Sequence, residues 1–350
     1  MKVLHIINRM EVGGVEVGAI NLLQNVNGFE YTLLAVRGGE QQLVDSIENA
    51  SNGKLVVCNG FFDSYKAIKR ESPDIIVSSL WRSHIVSIFY KILNWSVERI
   101  HFVHNTRFAH SVDKIVTKLS VRFANDLFCD SDISLCWAKE NLTIRKGVRG
   151  NVLPMCISFS KGKREFSANE FTFVYVGRYC TQKNLKLALE FISKLRERGV
   201  LATFDLFGRD DGELENLIDE ARYLGIEQYV SFYESVNPFE VEDTLRKYNY
   251  YLQTSTYEGM AISVYQSIIN GLLPVITPVG ETKNYTKDRH NSFHLDKNLL
   301  DDCNEFIYFI SNDVEREKIG KLINSDKYEL FSCSFNSYFI DKIKSEKNRS

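Results

Sequence analysis

The stretch "YEGMAISVYQS" (Tyr257–Ser267) sets an acid, Glu258, in a glycine-flanked turn and an amide, Gln266, eight positions later in the helix that follows. The two form either half of a ligand site or a helix cap. Ser263 and Gln266 have capping-box spacing, in which hydroxyl and amide satisfy the orphan N–H groups of a helix beginning after Ser263. Capping leaves Glu258 unexplained, an acid set beside the helix's positive end. In "YVGRYCTQKNLKLALEF", Arg178 and Lys183 flank a loop before a helix. Two cations there suit a diphosphate, Arg by its fork and Lys as a point charge, or they are solvated loop residues. In "NRMEVGGVEVGAINLL", Gly13 and Gly14 precede a helix opening at about Val15. Such a turn lets the backbone approach an anion at the helix start, or is simply tight, with Glu16 offsetting the helix dipole. It lacks the G-x-G-x-x-G spacing of dinucleotide sites. His104 ends the run "RIHFVHNT", placed to meet a substrate hydroxyl or to sit as a satisfied, partly buried histidine. Alternation puts His101 on the opposite face, so the two do not share a metal. No cluster has zinc spacing, and "CDSD" (129–132) reads as a helix cap.

The elements that must position these residues alternate. Strand-like runs "KVLHII", "YTLLAV", "KLVVC", "DIIVSS", "RIHFVH", "DLFC" and "NVLP" are separated by amphipathic helical runs. After the polar stretch "SFSKGKREFSANE" the rhythm restarts with "FTFVYVG", "ATFDLFG", "YVSFY", "YYLQTS" and "LPVITP". This is a βαβ pattern, implying parallel sheets covered on both faces and wound right-handedly. Doubly wound sheets bind ligands beyond the carboxyl ends of their strands, where Gly13, Gly14, His104, Arg178 and Glu258 all fall. The expected domains are 1–160 and 161–325, with 326–350 a C-terminal helix and tail packing toward the first.

The 350 residues, 44% hydrophobic and 25% charged, provide for two soluble cores. A net charge of −2 argues against bulk nucleic-acid binding. Seven cysteines without a C-x-x-C pair fit reduced thiols in a cytoplasm. The opening "MKVLHIIN" reads as a strand rather than a signal peptide, and the apolar run "IVSIFYKILNW" is too short to span a bilayer.

Together, "GGVE", "VGRYCTQKN", "LFGRDDGELENLIDEARYLGIEQYVSF" and "STYEGMAISVYQSIINGLLPVITPVG" resemble the retaining glycosyltransferases of family 4, over nearly the whole chain. The resemblance implies a GT-B fold of two facing Rossmann-like domains with a cleft between them. It implies transfer of a hexose-type sugar, with retained configuration, from a UDP- or GDP-sugar to a glycan or lipid-linked acceptor in bacterial surface polysaccharide synthesis. No metal or cofactor is expected. Gly13 and Gly14 would approach the donor diphosphate, and Arg178 and Lys183 would neutralise it. Glu258 would hold the donor sugar, with Gly259, Met260, Ala261 and Ile262 lining the site. Position 266 would bind the ribose, and His104 would contact the sugar near the reacting carbon.

Five positions depart from the family pattern. Gln266 stands where the family has Glu, Ala261 for a Gly, and Ser263 for a Pro. Exchanging a charged acceptor for a neutral one costs on the order of 1 kcal/mol, under tenfold in affinity. Ala261 costs little unless its φ is positive. Met155 and Cys156 replace an Asn-Gly pair. These departures keep two alternatives open: a catalytically weak partner subunit of a glycosylation complex, and a nucleotide-sugar epimerase. Residues 82–149 carry eleven Lys or Arg against six Asp or Glu. There Lys114, Lys118 and Arg122 run at i, i+4, i+8 beside Ile115, Leu119 and Phe123, the pattern either of a helix lying on an anionic membrane or of an ordinary basic face. The expected location is the cytoplasm, peripheral to the inner membrane face.

Overall fold

The computed structural model describes residues 1–50, 53–154, 170–312, 314–315, 317–318 and 334–347, so Met155 and Cys156 lie outside the described residues. The chain forms two compact units, Met1–Ser158 with Glu329–Ser350, and Phe159–Tyr328.

The first unit is a seven-stranded parallel sheet: β1 (Lys2–Ile7), β2 (Glu30–Ala35), β3 (Lys54–Val57), β4 (Ile75–Ser79), β5 (Glu98–Val103), β6 (Asp126–Cys129) and β7 (Gly150–Val152). Their order is β3-β2-β1-β4-β5-β6-β7. The inner strands are near-continuous apolar runs because helices cover both faces. β1 and β5 are buried from their second residue on, and β4 throughout. Those helices are α1 (Gly14–Asn25), α2 (Gln41–Ala50), α3 (Phe61–Glu71), α4 (Trp81–Leu93), α5 (Ser111–Arg122) and α6 (Asp132–Asn141). α1 thus begins one residue earlier than its spacing suggests. The "CDSD" stretch does cap a helix, through Ser131, whose side chain accepts from the Ser134 N–H in a capping box. A C-terminal helix, Ser334–Lys347, returns to this unit. Its fully buried Phe339 ring packs 5.1 Å from Phe29 and 6.0 Å from Phe128. Tyr338 donates to Asp126 at 2.6 Å, and Lys342 pairs with Glu98. Burying one such ring contributes about 1.5–3 kcal/mol.

The second unit is a six-stranded parallel sheet ordered β10-β9-β8-β11-β12-β13. Its strands are β8 (Thr172–Val176), β9 (Thr203–Phe207), β10 (Val230–Tyr233), β11 (Tyr250–Gln253), β12 (Leu273–Ile276) and the two-residue β13 (Phe293–His294). A 3-10 turn (Thr181–Lys183) leads into α7 (Leu185–Glu197). α8 (Leu214–Tyr223), α9 (Val241–Leu245), α10 (Ile262–Ile269), α11 (Thr282–Tyr285) and α12 (Leu299–Ser311) follow. Phe173, Phe191, Tyr250, Phe293 and Phe306 pack, mostly edge to face, into one buried aromatic cluster.

Candidate functional site

In the second unit, β8 lies between β9 and β11, and the chain reverses its direction of travel across the sheet there. The loops leaving β8 and β11 both emerge at this switch point, the place where doubly wound sheets bind ligands. The first loop carries Arg178 and Lys183, the second Glu258. Lys183 Nζ donates to Glu258 Oε1 at 2.6 Å, with the side chains 14% and 8% exposed. An ammonium has three donors, and this contact uses one. Backbone and side-chain hydrogen bonds hold the two loops in register. Thr256 N–H donates to the Gln182 carbonyl at 2.9 Å, Gln182 Nε2 to the Tyr257 carbonyl at 2.9 Å, and Thr254 Oγ1 to the Asn184 carbonyl at 2.8 Å. Asn184 supplies the positive φ (46°) that turns the chain into α7.

Arg178 is drawn elsewhere. Its guanidinium lies 3.0 Å from Asp211 Oδ2, and Arg209 reaches the other oxygen at 2.8 Å. Burial alone would raise the Asp211 carboxyl, but the two guanidiniums hold it below the usual range. Beneath the loop, burial pushes the Tyr175 and Tyr251 phenols up, so both stay protonated donors, to the Arg178 and Val176 carbonyls.

The segment after Glu258 corrects the sequence reading. α10 starts at Ile262, not after Ser263, and its N-cap residue Ala261 makes no side-chain cap. Ser263 therefore lies inside the helix, and the Ser263–Gln266 capping box does not form. Gln266 is buried on α10. Ala261 takes φ 51°, ψ 61°, the left-handed region in which an L-residue is strained by about 1–2 kcal/mol. The loop is braced from β12's far end. Gly280, at φ 58°, lies so close that a Cβ there would collide with the Glu258 and Gly259 carbonyls. Tyr285 Oη reaches the Met260 and Ala261 carbonyls at 2.9 and 3.0 Å. Ala261 and Tyr285 pack partly buried against the core, and Met260 is buried.

In the first unit, β1 lies between β2 and β4 and defines the equivalent switch point. Gly14 opens α1 with open space around it, and Gly13 caps it in extended backbone. The buried Glu16 carboxylate folds back against Gly13, so the helix's own acid already stands at its positive end. His104 follows β5. Its Nε2 is 2.8 Å from Ser79 Oγ and its Nδ1 3.7 Å from Asp130 Oδ2. His101 has different partners, Ser120 Oγ at 2.7 Å and the stacked His84 ring at 4.0 Å.

Residues 157–323 match the family model of Glycosyl transferases group 1. The match spans nearly the whole second unit, including Lys183 and Glu258. No curated protein matches the chain. Among solved structures, Anabaena HepE in complex with UDP-glucose covers 99% of this chain and 100% of its own at a TM-score of 0.81 and 14% identity. A glycosyltransferase from Rickettsia africae covers 92% of both chains at 0.68 and 13%. TarM from S. aureus covers 82% of this chain and 59% of its own at 0.65 and 13%. At such identities the likeness is one of fold, and the two parallel-sheet α/β units are those of GT-B glycosyltransferases.

Sequence reasoning missed two features near the group 1 segment's acid. Gln253 and Ser255, five and three residues before Glu258, are buried with no hydrogen-bond partner for the amide atoms or the hydroxyl. Their signal is a Gln closing an otherwise apolar strand. Lys114, Lys118 and Arg122 do fall along α5, all exposed, with Val112, Ile115 and Leu119 exposed beside them. The neighbouring α4 exposes Ile85, Phe89, Ile92 and Leu93, one helical stripe that Trp95 extends. Among the described residues, no His, Cys, Asp and Glu side chains gather to hold a metal, and no helix is long and apolar enough to cross a membrane.

Proposed function

We propose that the chain is a retaining, metal-independent hexosyltransferase of family 4, using a UDP-sugar. One observation carries this reading. Lys183 and Glu258 meet at the switch point of the unit that matches Glycosyl transferases group 1. The lysine offers its remaining donors to a diphosphate, and Glu258 Oε2 offers an acceptor to the donor sugar's hydroxyls. Arg178 adds a second cation once Asp211 releases it. Structural neighbours solved with UDP and UDP-glucose favour uracil over guanine. His104 contacts the sugar, Gly13 and Gly14 approach the diphosphate, and Gln266 accepts from the ribose. The acceptor is a glycan or lipid-linked glycan of a bacterial surface polysaccharide. The α4–α5 face rests on an anionic membrane, its apolar stripe flanked by Lys114, Lys118 and Arg122.

The test is thermal stabilisation by UDP, GDP, ADP, CDP and dTDP without divalent metal. A nucleotide at a hundred times its dissociation constant adds about 2.7 kcal/mol. UDP alone should stabilise the protein, and Arg178→Ala should diminish the effect. Stabilisation by none of the five sinks the proposal.

The strained Ala261 favours one second reading, a catalytically weak partner subunit. Glu258→Ala separates the two, because a transferase loses turnover whereas a scaffold still supports its complex.

A further inference from the structure

A single chain of polar side chains crosses five neighbouring strands of the first unit, from Tyr31 near the amino end of β2 to the carboxyl ends of β4, β5 and β6. Tyr31 of β2 bonds His5 Nδ1 of β1 at 2.7 Å, and His5 Nε2 lies 2.8 Å from Ser79 Oγ of β4. Ser79 Oγ lies 2.8 Å from Nε2 of His104, which follows β5, and His104 Nδ1 faces Asp130, which follows β6. All five residues are buried, Ser79 and His5 completely. Phe102 packs between the two rings, 6.3 Å from His5 and 4.2 Å from His104.

The proton directions follow from the acid at one end. A bare Nδ1 on His104 would aim a lone pair at the Asp130 carboxylate, so Nδ1 carries the hydrogen. Nε2 is then an acceptor, and Ser79 must donate to it. The Ser79 oxygen in turn accepts from His5 Nε2–H, and His5 Nδ1 accepts from the Tyr31 hydroxyl. Every bond points the same way. At 3.7 Å the Nδ1–Asp130 contact is longer than a hydrogen bond. A ligand oxygen entering there would therefore find a directed N–H.

We infer that Ser79, backed by His5 and Tyr31, is a positioning residue that, together with Asp130, holds His104 in its Nδ1–H form and presents that N–H to the donor sugar. The role toward sugar rests on the proposed function; the tautomer lock does not. Sequence placed only His104 at the site, and the other members lie 25 or more positions away in sequence, as the strand order dictates.

The test uses the full chain with nitrogen-15-labelled histidine. The His104 ring should show the Nδ1–H tautomer, and Ser79→Ala should convert it to a mixture. The same variant should lower kcat about tenfold while leaving UDP stabilisation, which needs no contact from Ser79 or His104, unchanged. If Ser79→Ala does not fold, Tyr31→Phe preserves volume and removes the hydroxyl that donates to His5. It should perturb both rings and displace the pH profile of kcat/KM. Besides Asp130, the titratable groups in reach of His104 are His5, His84 and His101. An Nε2–H tautomer in the parent protein, or variants with unchanged ring signals and kcat, overturns the inference. A locked tautomer in a protein that transfers no sugar would leave the lock standing and refute the transferase reading instead.

Discussion

Lys183 and Glu258 lie 75 positions apart in sequence and 2.6 Å apart in space, and the crossover from β10 to β11 is what brings them together. Both are largely buried, so each charge depends on the other. Removing one partner of a buried pair costs about 3–5 kcal/mol, whereas replacing both with apolar groups is often neutral. Lys183→Met and Glu258→Leu should each destabilise the second unit by about 3 kcal/mol, and the double variant should recover most of that. None of the three should be stabilised by UDP. Recovery of nucleotide binding in the double variant would show that the pair serves the fold alone.

Gly280 is the tightest brace on the Glu258 loop. Alanine there needs a left-handed backbone and room that two carbonyls occupy. Gly280→Ala should destabilise by on the order of 2–3 kcal/mol and weaken nucleotide binding as the loop shifts. Gly14→Ala is the control for stability alone, since its side chain would meet open space. Equal effects from the two variants would contradict the geometry.

Ala261 offers the opposite change. Ala261→Gly relieves about 1–2 kcal/mol of backbone strain and returns about 0.4–1 through the looser unfolded chain. A net gain of about 0.5–1 kcal/mol should raise the melting temperature by about 1–3 °C. A lower melting temperature would mean that the packed methyl outweighs the strain.

The sheets were legible because buried parallel strands write themselves as apolar runs, "KVLHII" and "DIIVSS" among them. The site was legible as separate loops. Its closure was not, because contact between Lys183 and Glu258 is set by strand order, which local pattern does not carry. The Ser263–Gln266 spacing misled for a related reason. Ala261 turns the backbone two residues earlier, so Ser263 is already helical when a cap would be needed. The run "IVSIFYKILNW" is legible as too short to span a bilayer, but not that Ile85, Phe89, Ile92 and Leu93 share its exposed face.

Burial also sets an acid limit on the first unit. Desolvation, with His104 adding to it, lowers His5 to about 3, and desolvation beside neighbouring His and Arg groups lowers His84 and His101 well below the usual value. The folded state keeps these rings neutral, whereas the unfolded chain binds a proton on each below about pH 6.5. Stability therefore falls as pH drops from about 6.5 toward 3, by up to about 1.4 kcal/mol per pH unit for each ring. All three tryptophans, Trp81, Trp95 and Trp137, lie in this unit, so their fluorescence reports its unfolding. Urea midpoints that stay level between pH 7 and 4.5 would contradict this.

The α4–α5 face makes the last prediction. Its apolar stripes and three exposed cations suit an anionic bilayer, where each Lys or Arg near the surface contributes about 1 kcal/mol. Reversing Lys114, Lys118 and Arg122 to Glu should lower binding to phosphatidylglycerol vesicles by at least ~100-fold. Ile92→Ser with Leu93→Ser should weaken it with less salt dependence, because apolar insertion is unscreened. All five positions are exposed, so melting temperature should hold and folding is not confounded. Binding unaffected by charge reversal would remove the membrane from this face. A salt-insensitive dimer on sedimentation, lost in the Ile92–Leu93 variant, would assign the stripe to a second copy of the chain.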